Sequence, residues 1–392
     1  MNRQSQHKPV ISPRQSSSLV SSTIIGVGVL TLPRATTEYA KQSGWLSVVL
    51  GAICAMVAVA VITSLARRFP GKSIVAFSAE ILSLGRNKTA GRVISFPFLL
   101  LYFAYWGFTT VIVARIFGEV VITTVLTETP LEVIITTMLL TSLVLIFQDV
   151  EVLARVNEIL LPIIVIPVLI IALSSYQSAK LYNLFPMREG VDWMSFLTGI
   201  MYTSFSYLGF EVLTLFLAHT HSDRKLLRLN LLGIAIPGLV YTLIAFSGIA
   251  VFGVDELRLL AWPTLELVKV TEVPGLILER LESAFLGVWV AAVFTTTANL
   301  YYSSCLIIKQ MLGFKGHRII ALVLFPAYYY ISLLPQNIHS LFEYQTHLSF
   351  VGAIIALIIP LILLIVAVIR RKGDPYNPLE TESGSGGKGE TS

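Results

Sequence analysis

Ile25-Gly26-Val27-Gly28-Val29 interrupts the first long apolar run of the chain, and Ser204-Phe205-Ser206-Tyr207-Leu208-Gly209-Phe210-Glu211 interrupts the sixth. Glycine costs a helix interior about 1 kcal/mol relative to alanine. Inside a bilayer, unwound backbone is tolerated only where it is buried in protein or lines a cavity. Two such interruptions read either as close helix packing, which favours small residues in membranes, or as deliberate breaks. The surrounding sequence makes them membrane features in the first place. Of 392 residues, 55% are hydrophobic and 13% charged, with a mean hydropathy of +0.77, whereas soluble domains carry about 25% charged residues. That excludes a water-soluble protein. The apolar residues come in blocks of about 15–25, the length of spanning helices, and not in the ~10-residue alternating segments of a barrel. The fold class expected is therefore all-α and integral to the membrane.

Hydropathy marks ten spans: about Ser16–Thr36, Trp45–Leu65, Val93–Leu126, Glu132–Phe147, Ile159–Leu173, Trp193–Leu217, Leu229–Phe252, Leu281–Ile308, Ile319–Leu333 and Leu348–Ile369. Twenty Lys and Arg residues fall on one side of this arrangement and seven on the other, with Arg115 inside span 3. By the positive-inside rule both termini are cytoplasmic, which requires an even number of spans. The division expected is a cytoplasmic tail over residues 1–15, a membrane domain over 16–370 and a disordered, Gly/Ser/Glu-rich tail over 371–392. The first apolar run lacks a small-residue cleavage site and reads as a retained span. A net charge of +5 follows from the basic cytoplasmic loops and does not call for nucleic acid. Between Pro263 and Pro274 an amphipathic stretch suggests a helix lying on the outer surface.

Ten spans divide into two sets of five, about 16–175 and 193–370, and the glycine-interrupted spans 1 and 6 lead each half. Five is odd, so the halves have opposite orientation. Paired interruptions at corresponding places in inverted halves point to a midplane site built from discontinuous helices. There, half-helix N-termini offer free N–H groups to an anionic ligand group. Candidate site residues are Gly26, Val27 and Gly28 in span 1 and Ser206, Leu208, Gly209 and Glu211 in span 6. Tyr102, Tyr105 and Trp106, spaced i, i+3, i+4 on span 3, would wall the site together with Thr295, Thr296 and Asn299 of span 8. The aromatic residues could equally be core, and the threonines could bond back to their own helix. Glu211 lies about 12 Å of helix from the cytoplasmic end. A carboxyl at that depth needs a partner, as a structural acceptor for freed backbone N–H groups or as a ligand contact.

Arg115 and Glu119 read as a local ion pair, and Arg280 with Glu282 as the outer mouth of span 8. Cys54 and Cys305 read as small buried hydrophobes, and His219 and His221 as solvated. Span 5 carries no lysine that could replace a bound sodium ion. No zinc-binding, nucleophile-elbow or phosphate-loop motif is present, so neither an enzyme nor a cofactor is expected.

The motifs in order resemble the B subunits of spore germinant receptors: Gly26-x-Gly28, Arg68-Phe69-Pro70-Gly71, Gly209-Phe210-Glu211, Trp262-Pro263, and Glu279-Arg280-Leu281-Glu282 with Trp289. The likeness runs from about Ser16 to Arg370. It implies membership of the amino acid–polyamine–organocation superfamily, with a LeuT-like fold of two inverted five-helix repeats. It also implies nutrient recognition in the inner spore membrane beside an A subunit and a lipoprotein C subunit. The competing expectation is a secondary amino acid transporter, since one fold serves both.

Overall fold

The computed structural model describes residues 10–26, 28–83, 88–185, 193–271 and 281–373. Val27, Arg86, Arg188, Pro274, Arg280 and the segments 1–9 and 374–392, which hold most of both expected tails, lie outside the described residues.

All regular structure among the described residues is helical, apart from one isolated parallel bridge between Ile11 and Thr220. Helix α1 (Pro13–Ile24) starts on a capping box, in which the Ser12 hydroxyl accepts from Gln15 N and Gln15 Oε1 accepts from Ser12 N. Each takes up a backbone donor that the helix cannot satisfy itself. The chain then leaves the helix at Ile25 and Gly26 and resumes as α2 (Gly28–Ala40). Helices α3 (Gly44–Arg68), α4 (Ile74–Ile81), α5 (Lys88–Thr124), α6 (Leu131–Ile146) and α7 (Val150–Ser174) complete the first half.

The second half repeats this plan. Helix α8 (Trp193–Phe205) stops before Ser206, and a short, partly 3₁₀ helix, α9 (Phe210–His219), follows Gly209. Then come α10 (Leu226–Leu259), α11 (Pro263–Lys269), α12 (Leu281–Leu312), α13 (Arg318–Ser332) and α14 (Ile338–Ile369). Joining α1 to α2 and α8 to α9 across their breaks gives ten spans among the described residues. Six helical segments are long and apolar enough to cross a membrane outright, and α6, α9 and α13 are shorter apolar helices. Each half also has a short helix after its second span, α4 and α11. The amphipathic stretch after Pro263 is the helix α11, but it does not lie on a surface: Leu265, Leu267 and Val268 are buried and Thr264 Oγ1 donates to Val29 O, which packs it into the core.

Cross-links between helix ends define two faces. On the basic face, Arg67 donates to the Asp223 and Arg224 carbonyls, Arg318 to Phe147 O and Arg370 to Ile81 O. The opposite face joins Arg258 to the Thr37 and Glu38 carbonyls and sets Trp262 edge-on to Phe342. The core runs between them through the two broken spans, α5, α10 and α12, with aliphatic residues such as Val144, Ile159 and Val323 exposed around the girdle.

Two further expectations need correction. Cys54 is exposed on the outer surface of α3 while Cys305 is buried, because a 25-residue helix at the edge of a bundle turns one side to lipid. His219 is buried: its carbonyl accepts from Val10 N and Ile11 N, and His221 N donates to Ile11 O. The segment before α1 thereby covers the end of α9 and excludes solvent from His219. Arg115 and Glu119 form the expected pair at 2.7 Å, buried, with Arg115 also donating to Ser332 O.

Candidate functional site

A helix that ends inside the protein leaves its last carbonyls without partners, and a buried unpaired carbonyl costs about 1–3 kcal/mol. At the end of α1 each such carbonyl lies within hydrogen-bonding distance of a donor, with one hydroxyl proton shared among neighbours. Ser21 O takes Ile25 N at 3.1 Å. The hydroxyl of Thr296 lies 3.1 Å from both Ser22 O and Thr23 O, with Thr295 Oγ1 3.4 Å from Ser22 O. Tyr241 Oη donates to Ile24 O at 2.7 Å, and Trp289 Nε1 to Gly26 O at 3.1 Å. Side chains of α10 and α12 thus hold the first break open. The glycines let them approach. A Cβ built on Gly26 would lie 2.8 Å from Thr296 Cβ, and one on Gly28 2.7 Å from Tyr241 Oη.

The second break turns on Gly209, whose φ of +125° is one that side chains rarely adopt. Its N–H donates to Glu211 Oε2 at 2.7 Å, while Trp106 Nε1 donates to Glu211 Oε1 at 3.2 Å. Glu211 is fully buried, and both carboxyl oxygens accept from protein donors. Tyr207 Oη donates to Val48 O at 3.0 Å, tying the break to α3.

The two breaks meet. A Cβ on Gly28 would be 3.3 Å from Ser206 O, and one on Gly209 3.2 Å from Thr23 O. Around them, Tyr102 stacks edge-on against Trp106 and donates to Ile355 O at 2.6 Å. Ile355 lies in the π-helical turn Ile354–Ile358 of α14. That wider turn exposes a carbonyl the regular ladder would otherwise use. Gly352 of α14 makes room for Leu208 and for the Tyr105 hydroxyl, which would be 2.8 Å from a Cβ there. Asn299 Nδ2 reaches Thr23 Oγ1 and Asn157 Oδ1, both at 2.8 Å.

Gly26, Gly28, Tyr102, Tyr105, Trp106, Ser206, Leu208, Gly209, Glu211, Thr295, Thr296 and Asn299 therefore occupy one region around the paired breaks. Val27 lies outside the described residues. Sequence reasoning missed Asn157, Tyr241 and Trp289. Asn157 stands between Arg155 and Glu158, just before the expected start of span 5 at Ile159, so its charged neighbours hid it, whereas the structure places it inside α7. Its Nδ2 donates to Leu153 O and Asn299 Oδ1. Trp289 was legible only as part of the family motif, and Tyr241 had no signal, since a ring that caps a distant carbonyl looks like any other apolar residue. Among the described residues no cluster of His, Cys, Asp and Glu is suited to a metal.

Comparison with known proteins supplies an independent frame. Residues 10–341 match the family described as spore germination protein. Spore germination protein YndE of Bacillus subtilis (strain 168) is 29% identical over 367 residues, covering 93% of this chain and 98% of that protein. Spore germination protein B2 of the same organism is 26% identical over 372 residues, covering 94% and 98%. Among solved structures, MhsT in complex with L-phenylalanine superposes with a TM-score of 0.66 at 13% identity, covering 92% of this chain and 90% of that one. Mhp1, a nucleobase-cation-symport-1 family transporter in a closed conformation, does so at 0.59 and 14%, covering 97% and 98%. The likeness gives this chain a LeuT-like fold, in which its ten spans form two inverted repeats of five with the first and sixth discontinuous.

Proposed function

The chain belongs to the spore germination protein family, and from that premise we propose that it is the nutrient-sensing subunit of a spore germinant receptor. Its ligand is a small zwitterionic molecule, an amino acid, taken up at the midplane between the two breaks, α5 and α12. The observation that carries this reading is the contact of Gly28 with Ser206 and of Gly209 with Thr23. It brings the start of α2 against the interrupted backbone between α8 and α9. First-turn N–H groups of α2 suit the ligand carboxylate, and carbonyls of the second break suit its amino group. Residues 16–370 act as the sensing domain, with residues 1–15 and 371–392 as cytoplasmic tails. The basic face is cytoplasmic and the membrane is the inner membrane of the spore. An A subunit and a lipoprotein C subunit read the state of this chain.

A receptor needs no net flux. A ligand that binds one of two conformations more tightly moves the population, and about 5.5 kcal/mol of differential affinity carries it from 1:99 to 99:1. The alternative, a secondary amino acid transporter, draws on the fold shared with MhsT, a protein solved with L-phenylalanine. Two measurements separate them: uptake of labelled amino acids by the purified chain in liposomes, and nutrient germination of spores lacking the gene. The receptor reading expects no concentrative uptake and a lost nutrient response. Robust uptake with normal germination of the deletion strain would promote the transporter. Bulky replacements at Gly26 and Gly28 should raise the nutrient concentration needed for germination; an unchanged dose response at both would move the site elsewhere.

A further inference from the structure

On the basic face, a cavity of about 800 Å³ opens between α4, the start of α5 and the end of α12. None of the broken-helix residues lines it. The Arg68-Phe69-Pro70-Gly71 turn builds one side: Gly71 at φ +69° reverses the chain and delivers Lys72 and Ser73 to the cavity. Arg92 enters from α5, and Lys309 and Gln310 from α12.

The charges there are unbalanced. Lys72 pairs with Glu80, but Arg92 and Lys309 form no ion pair among the described residues. Ser73, at the N-cap of α4, does not cap its own helix. Its hydroxyl instead donates to Gln310 Oε1, so the first turn of α4 faces the cavity without a side-chain cap. Gln310 Nε2, in the same wall, has no hydrogen-bond partner. The lining side chains left over are the cations Arg92 and Lys309 and the amide donor of Gln310, a set that suits an anion with several acceptor oxygens.

The cavity is also half apolar, with Val75, Phe96, Leu99, Met311 and Phe314 in its lining. Beside it, Val93, Phe96 and Leu100 lie exposed along α5, at the level where that helix enters the apolar girdle. A phosphate ester tethered to acyl chains fits both halves at once, with the phosphate on Arg92 and Lys309 and the chains along α5. We propose that this cavity is a binding site for the phosphate-bearing headgroup of an anionic membrane phospholipid. The inference stands apart from the nutrient reading, and its test contains no nutrient.

The test is native mass spectrometry of the full-length chain in detergent, titrated with phosphatidylglycerol or with phosphatidylcholine of the same acyl chains. Arg92→Gln with Lys309→Gln is compared with Arg155→Gln with Arg228→Gln, which removes the same charge from exposed positions outside the cavity. Each interfacial cation contributes about fivefold to anionic lipid affinity. The cavity pair should therefore lose phosphatidylglycerol by roughly 25-fold, while the control pair stays near wild type. Equal loss in both pairs, or equal retention of the two lipids by the wild-type chain, would overturn the proposal. So would displacement of phosphatidylglycerol by equimolar inorganic phosphate, which would make the site one for free phosphate. As a check that needs no variant, a photoactivatable phosphatidylglycerol should cross-link to peptides of α4, α5 and α12; labelling confined elsewhere refutes the site.

Discussion

Replacing Gly28 by alanine tests the packing of the first break, and its cost depends on one identifiable atom. The added methyl would lie 2.7 Å from Tyr241 Oη, with the next contacts, Tyr241 Cζ and Ser206 O, both at 3.3 Å. A carbon against an oxygen needs about half an ångström more, and overpacking of this kind costs about 1–3 kcal/mol. Tyr241→Phe alone removes the 2.7 Å hydrogen bond to Ile24 O and leaves a buried carbonyl unpaired, about 1–3 kcal/mol. Combining the two does not add them. Without the hydroxyl the methyl still meets a ring carbon and a carbonyl at 3.3 Å, contacts that must give by a few tenths of an ångström but no more, so the double variant should lie nearer to Tyr241→Phe than to the sum. The expected coupling is about 1–2 kcal/mol in favour of the pair. Equilibrium unfolding of the purified protein in mixed micelles, followed by tryptophan fluorescence, measures all four corners of the cycle. Gly26→Ala is the control. Its methyl meets Thr296 instead, and Tyr241→Phe should not rescue it. Additivity of Gly28→Ala and Tyr241→Phe to within about 0.5 kcal/mol would refute the close approach on which the description of the break rests.

Glu211→Gln turns one acceptor oxygen into a donor facing either Gly209 N or Trp106 Nε1, and should destabilise the protein by about 1–3 kcal/mol in the same unfolding assay; wild-type stability would show that the carboxyl does not close the second break. Ile11→Pro removes the N–H that donates to His219 O at 3.0 Å. Hydrogen exchange of residues 217–221 should then accelerate, and unchanged protection would mean that the end of α9 is held without the N-terminal segment. His317, at the start of α13, is held below its ordinary value of 6.5 by burial, with Lys309 and Arg318 adding to the effect, and its Nε2 lies 2.8 Å from Ile146 O. Above that value the ring is neutral in both folded and unfolded chains. As pH falls below it, the unfolded chain takes up a proton that the folded ring refuses, so stability declines with acidification. His317→Gln should flatten that slope between pH 7.5 and 5, and an identical slope in the variant would place the titrating group elsewhere.

Local sequence was enough to read the plan of this protein, because the features concerned are properties of short stretches in a fixed solvent. Lipid cannot satisfy backbone groups, so apolar blocks of helical length had to be spans, and glycine-rich interruptions at corresponding places had to be breaks or tight contacts. The helix ends at Ile24 and Phe205 and the restart at Gly28 follow from those stretches. Which groups close the breaks was a matter for the tertiary structure. The carbonyls of Ile24 and Gly26 are met by Tyr241 and Trp289, more than two hundred residues along the chain, and no periodicity links residues brought together only by the crossing of α1 with α10 and α12. The same holds for exposure. Cys54 has the more apolar neighbours of the two cysteines, yet it faces outward while Cys305, after Ser303 and Ser304, faces inward. In a bilayer both sides of a helix are apolar, so hydropathy loses the sign that would tell core from lipid. His219 was misjudged for the converse reason: its charged neighbours suggested solvent, but the chain at Val10 and Ile11 folds back to cover it, a contact that only the assembled bundle brings about.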